Sequence, residues 1–266
     1  MSCSRSAARS VAIRFDWRLS LDWNTVDLAI ALSAAFFSSI LGALSGFGAG
    51  ILVMPFLVPL VGIKGVVPVM AVAMMIANIA RVWVYRAHVR LDLLGTLTVS
   101  VIPGVFIGTY IYKIMPVNFL AVFIGLFLFA SIALRRLLSG RSIELGRGRL
   151  IAGGFFFGVL TGSTPGAGVL LIAILLGMGL GGPALVGTDA VLGILISSVR
   201  TGMFSIYDLI NVPELTLGIA IGLATFPGAF AARWMITRLS AAVHVSIIEV
   251  MILFAGASFL WRAWST

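Results

Sequence analysis

The sequence predicts an all-α polytopic membrane protein of about eight transmembrane helices, arranged as two four-helix repeats with a glycine-broken helix in each. Three observations predict it. The 266-residue chain is 61% hydrophobic and 10% charged, with a mean hydropathy of +1.15, far from the composition of a soluble domain. Its apolar stretches exceed ~18 residues and its charges fall between them, as in α-helical spans of a ~30 Å core; membrane β-strands would alternate over ~10 residues. A glycine-interrupted apolar segment also occurs once in each half: Gly42-Ala-Leu-Ser-Gly46-Phe-Gly48-Ala-Gly50, then Gly158-Val-Leu-Thr-Gly162-Ser-Thr-Pro165-Gly166-Ala-Gly168.

In chain order, residues 1–24 carry Arg5, Arg9, Arg14 and Arg18 without a separate apolar core. They read as a cytoplasmic flank and not as a cleaved signal. The first repeat, 25–138, holds spans near 25–45, 65–86, 92–113 and 116–138. The stretch 25–61 is too long for one span, so 51–61 is expected to be a half-helix or re-entrant arm. A polar linker, 139–148, follows. The second repeat, 149–266, holds spans near 149–178, 183–205, 213–237 and 242–264, the first of them long and broken at 162–168.

The halves match beyond the glycines. Asn78-x-x-Arg81 corresponds to Ser197-x-x-Arg200, Pro103-Gly104-Val-Phe106 to Pro227-Gly228-Ala-Phe230, and Leu128-Phe-Ala-Ser131 to Leu253-Phe-Ala-Gly256. The offsets, 116 at the glycines and then 119, 124 and 125, are collinear with small insertions, which argues for duplication. Four crossings per half give parallel repeats. An inverted pair needs an odd number, which follows if each broken segment is re-entrant.

The net charge of +9 points to membrane topology and not to nucleic acid. With eight alternating spans, one side holds Arg5, Arg9, Arg14, Arg18, Arg86, Arg90, Arg135, Arg136, Arg141, Arg147, Arg149 and Arg262; the other holds Lys64, Lys113, Arg233 and Arg238. This asymmetry favours the simple eight-span reading and places both termini in the cytoplasm. Trp17, Trp23, Trp261 and Trp264 suit interfacial anchors. Cys3 is the sole cysteine, which excludes intramolecular disulfides and cysteine-based metal sites.

Candidate binding residues cluster at the breaks, because paired Gly/Pro-interrupted segments in two halves mark transporter sites. Such a break exposes backbone N–H groups, and the following half-helix points its positive end at an anion. The half-helices are expected to begin near Gly50 and Gly168. Ser45, Gly46, Gly48 and Gly50 in the first segment, and Thr161, Gly162, Ser163, Thr164, Gly166 and Gly168 in the second, form the candidate set. The competing reading is close packing, since Gly-x-x-x-Gly spacing also lets helices touch; Gly104/Gly108 and Gly218/Gly222 are assigned to packing.

Arg81 and Arg200 stand at matching positions within spans, where an arginine at mid-membrane costs about 2.5–3.5 kcal/mol on insertion scales. With Asn78 and Ser197 one turn earlier on the same face, they are candidate anion ligands; the alternative is snorkelling to headgroups. Asp189 and Glu249 are the membrane acids, candidates for ion coupling or for interfacial solvation. No phosphate-binding loop, metal-ligand cluster or intramembrane protease motif is present, so no catalytic residue, metal or cofactor is assigned.

These paired motifs resemble the sulfite exporter TauE/SafE family of membrane permeases over about residues 30–262. The carriers are the two glycine segments, Pro55, the Ala-Leu-Val-Gly-Thr-Asp189 start of the sixth span and the Pro-Gly-x-Phe motifs. Ala49 and Ala167 interrupt the family's glycine run. The resemblance implies a secondary transporter of small sulfur-containing anions, of the sulfite or organosulfonate class, in the bacterial inner membrane. Its partners are then that anion and the bilayer, with a homo-oligomer left open. With the cytoplasm negative, anion efflux runs with the field, about 2.3 kcal/mol per charge per 100 mV, which favours export. An anion channel is the alternative within transport; a membrane enzyme or a non-transporting assembly protein is the alternative outside it.

Overall fold

The structure, a computed structural model, describes residues 23–45, 50–138, 147–164, 167–235 and 241–265. Within these the chain forms α1 (Thr25–Ser45), α2 (Gly50–Tyr85), α3 (Leu91–Ile114), α4 (Val117–Leu138), α5 (Arg147–Ser163), α6 (Gly168–Gly177), α7 (Gly182–Ile206), α8 (Val212–Met235) and α9 (Ala241–Ser265). Four stretches among the described residues are long and apolar enough to cross a bilayer: Val53–His88, Leu91–Ile114, Val117–Leu134 and Gly182–Ile206. The outward faces carry large apolar side chains such as Phe106, Tyr110, Phe119 and Leu126, surface that suits lipid and not water.

α2 is two helices. Gly62 has φ 67° and ψ 173°, a backbone region that is essentially restricted to glycine. The arms 50–61 and 63–85 fold back on each other there. A methyl group built on Gly50 would meet Met70 Cε at 2.8 Å and Met74 Sδ at 3.0 Å; along a straight helix, Gly50 and Met70 would lie about 30 Å apart. The second half repeats this pattern with a clearer gap. α5 ends at Ser163 and α6 begins at Gly168. A methyl on Gly153 would touch Ile174 Cδ1 at 3.8 Å, so α6 returns alongside α5. α6 has 10 residues, about 15 Å of helix, which is half a bilayer core.

Glycine sets the closest helix contacts. α3 packs most extensively on α5. Methyl groups on Gly104 and Gly158 would strike the backbone carbonyls of Phe155 and Val101, and one on Gly162 would reach Gly108 Cα at 2.9 Å. The residue numbers rise together, so α3 and α5 run parallel with their backbones in contact. Gly218 and Gly222 of α8 likewise approach the Val69 and Ala73 carbonyls of α2, at 2.9 and 3.1 Å for an added methyl. Gly104/Gly108 and Gly218/Gly222 therefore serve packing, as their spacing predicts.

α4 and α9 run antiparallel. Gly125 faces Leu260 and Gly256 faces Phe129, while Arg136 near the end of α4 reaches Glu249 near the start of α9, Nη2 to Oε2 at 2.6 Å. This corrects the eight-crossing alternation, which puts Arg136 and Glu249 toward opposite faces. The charge asymmetry built on that alternation changes with it. Arg86, Arg90, Arg136 and Arg147 fall at one end of the bundle, Lys64, Lys113 and Arg262 at the other.

Two predictions follow from this packing. In a Cys3→Ser background, cysteines placed at Ser142 and at Thr266 should be labelled by an impermeant maleimide from opposite sides of the membrane; labelling from one side would restore eight alternating crossings. Gly158→Val should lower the thermal midpoint in detergent, as overpacking costs typically 1–3 kcal/mol. Gly95→Ala, where nothing lies within 4 Å of an added methyl, should leave the midpoint unchanged or raise it.

Candidate functional site

The seam between the 63–85 arm of α2 and α7 brings Asn78 and Arg81 against Asp189, Gly193 and their neighbours. Its register is antiparallel. A methyl on Gly187 would meet the Tyr85 carbonyl at 3.0 Å, Arg81 meets Asp189, Asn78 fills the space that a side chain at Gly193 would occupy, and Ser198 Oγ donates to Met75 Sδ at 3.5 Å.

Arg81 is committed within this seam. Its Nη2 lies 2.8 Å from Asp189 Oδ2 and its Nη1 donates to Asn78 Oδ1 at 3.0 Å. The arginine and aspartate side chains are 16% and 10% exposed. Asn78 can enter because position 193 is glycine and presents no side chain. Sequence analysis offered Asn78 and Arg81 to a substrate and Asp189 to coupling; the structure brings all three together in one ion-paired cluster. The neighbouring Thr188 Oγ1 accepts a hydrogen bond from the Arg90 N–H at 3.1 Å, which ties α7 to the segment after α2.

Arg200 sits differently. It lies on α7 near the opposite end from Asp189 and is 6% exposed. Its Nε and Nη2 are buried and donate to no acceptor among the described residues. Its planar group lies 5.8 Å from the centroid of the Phe204 ring, and Phe204 packs against Tyr112 with centroids 5.2 Å apart and rings tilted by 59°; the Tyr112 hydroxyl donates to the Lys64 carbonyl at 3.0 Å. The next residue, Thr201, has a buried Oγ1 that also has no partner among the described residues. Ser197 is buried one turn before Arg200. Buried polar groups are almost always satisfied, and an uncompensated buried cation is among the most expensive arrangements a protein holds. Arg200 and Thr201 together form a donor pair with no acceptor among the described residues. Sequence analysis named Arg200 and Ser197 but not Thr201, which has no polar counterpart in the first half to draw attention to it.

The breaks divide. Gly46 and Gly48 of the first segment, and Gly166 of the second, lie outside the described residues; so does the side chain of Ser45, the last residue of α1. The half-helices start at Gly50 and Gly168, at the expected places. Gly162 faces the Gly108 backbone, so its missing side chain serves the α3–α5 contact. Ser163 bonds back to the Val159 and Leu160 carbonyls at 2.9 and 3.2 Å, a self-satisfied arrangement common for helical serine. Thr161 and Thr164 are buried, and the Thr164 N–H closes the helix on the Leu160 carbonyl at 2.8 Å. Glu249, the second coupling candidate, holds Arg136 through both carboxylate oxygens, at 3.1 and 2.6 Å.

The Arg81–Asp189 pair yields a stability prediction. Removing one partner of a buried pair costs about 3–5 kcal/mol because the other charge is left uncompensated. Asp189→Asn and Arg81→Gln should each lower the thermal midpoint of the purified protein strongly, and the double variant should lie above the less stable single. Additive losses would show that the two groups are not energetically coupled.

A family model described as Sulfite exporter TauE/SafE matches residues 31–259. No curated protein and no solved structure matches the chain. The matched region runs from the first helix to the last and takes in both glycine segments, the ion-paired seam and Arg200. With a helical, lipid-facing fold and a match over most of its length, the chain belongs to the sulfite exporter TauE/SafE family of membrane transporters.

Proposed function

We propose that the protein is a secondary transporter that exports a small sulfur-containing anion, of the sulfite or organosulfonate class, by alternating access between two inverted halves. The observation that carries this reading is Arg200: a buried guanidinium with two donor nitrogens that no group among the described residues engages. A small oxyanion is the chemical complement of such a group, because its oxygens accept the charge-assisted hydrogen bonds the chain leaves unmade.

Inversion is supported by the helix directions. Corresponding helices of the two halves, the 63–85 arm with α7 and α4 with α9, pack antiparallel, as a two-fold axis in the membrane plane requires. Each half then consists of a hairpin that returns to its starting face and three crossings. The pairs also exchange partners: α1 packs on α8 and α5 on α3. The first helix of each half is thus held by the second crossing helix of the other half. Repeats spanning 25–138 and 149–266 fit these pairings.

Export with the field is supported by the fate of the acids. Asp189 and Glu249, the two groups considered for ion coupling, are both engaged by arginines. An anion leaving a negative interior gains about 2.3 kcal/mol per charge per 100 mV, which drives efflux without a coupling ion. In proteoliposomes, sulfite and an alkanesulfonate should show saturable flux that rises with an imposed potential and does not require a pH gradient. Arg200→Gln should abolish that flux while leaving the protein monodisperse. Absence of saturable flux for any such anion would sink the reading, and full flux in Arg200→Gln would remove its central residue.

A further inference from the structure

The two seam arginines are equivalent by sequence but not by surroundings. The offset of 119 that carries Arg81 to Arg200 carries position 70 to position 189. The antiparallel register of the seam, in which Arg81 meets Asp189, Asn78 meets Gly193 and Met75 meets Ser198, brings Arg200 alongside the turn 70–73. The first arginine therefore faces a carboxylate, while the residue that the offset pairs with that carboxylate is a thioether, Met70. Met70 is 3% exposed, and the start of the 50–61 arm rests on it, since a methyl on Gly50 would meet its Cε at 2.8 Å. The N-terminal end of that half-helix carries a partial positive charge, and no described acid is placed beside it.

We infer that Met70 is the specificity-determining residue of this transporter: standing where a carboxylate would neutralise Arg200 as Asp189 neutralises Arg81, it leaves one uncompensated cation and so selects monoanions, such as sulfonates and hydrogensulfite, over dianions such as sulfate. This deepens the transporter reading above and rests on it. The physical reason is charge balance at low dielectric. A monoanion on Arg200 makes the seam neutral, whereas a dianion leaves a net negative charge where solvent cannot screen it. Thr201 Oγ1, buried beside Arg200 with no partner among the described residues, supplies a neutral donor that satisfies a further oxygen without adding charge. A carboxylate at position 70 would pair with Arg200 as Asp189 pairs with Arg81, and it would compete with the anion from within the chain.

The test uses the full chain in proteoliposomes with the membrane potential clamped to zero, methanesulfonate as the monoanion and sulfate as the dianion. Wild type should take up methanesulfonate with a half-saturating concentration about tenfold or more below that of sulfate, a difference of about 1.4 kcal/mol. Met70→Asp should raise the methanesulfonate value about tenfold or more, and Met70→Leu should leave it unchanged. The Arg81→Gln/Asp189→Asn double variant, which removes the internal pair as a neutral unit, should keep wild-type selectivity; this comparison does not depend on Met70→Asp folding. Equal handling of the two anions by wild type, unchanged affinity in a monodisperse Met70→Asp, or loss of selectivity in a folded double variant would each overturn the inference and leave the transporter reading standing. Absence of flux for both anions in wild type would overturn both.

Discussion

Where the 63–85 arm and α7 run antiparallel, register fixes what each arginine meets, and for side chains this far buried that decides the arginine's energy. Arg81 meets a carboxylate and a side-chain amide and becomes part of the frame. Arg200 meets neither. A guanidinium buried without an acceptor among the described residues costs stability, and on the proposed reading an arriving anion recovers that stability as binding.

The seam depends on close backbone approach elsewhere. α3 and α5 touch through Gly104, Gly108, Gly158 and Gly162, and α2 and α8 through Gly218 and Gly222. Any side chain at these points would push helices apart and carry the arms of α2 and α7 with them. The reversal at Gly62 adds a second constraint. By folding the 50–61 arm back onto Met70 and Met74, it brings a half-helix N-terminus into the membrane interior beside the seam. Fold and site are coupled here through a few glycines, some chosen for lack of bulk and one for its backbone angles.

Much of this was readable in the sequence, and the parts that were not have physical reasons. Hydropathy placed the helices because every backbone polar group in a bilayer must be satisfied internally. Propensity placed the half-helix starts at Gly50 and Gly168, because clustered glycine opens a helix. Helix direction is not legible: a hairpin that turns back and a helix that crosses have the same apolar composition, so charge counting follows the eight-crossing alternation, which the contact of Arg136 with Glu249 contradicts. The Arg81–Asp189 pair was hidden for another reason. Its members lie 108 positions apart, and each reads singly as an interfacial or substrate-facing charge. The clue in the sequence is an absence, since the offset of 119 that pairs the arginines pairs Asp189 with Met70.

The most direct test of Arg200 as the anion's ligand is the ¹⁵N signal of arginine Nε in protein labelled at arginine and embedded in lipid, titrated with methanesulfonate. The Nε resonance assigned to Arg200 by its loss in Arg200→Gln should shift saturably, while that of Arg81, locked to Asp189, should stay in place. A saturable shift at Arg81 with none at Arg200 would contradict the division of labour between the two arginines.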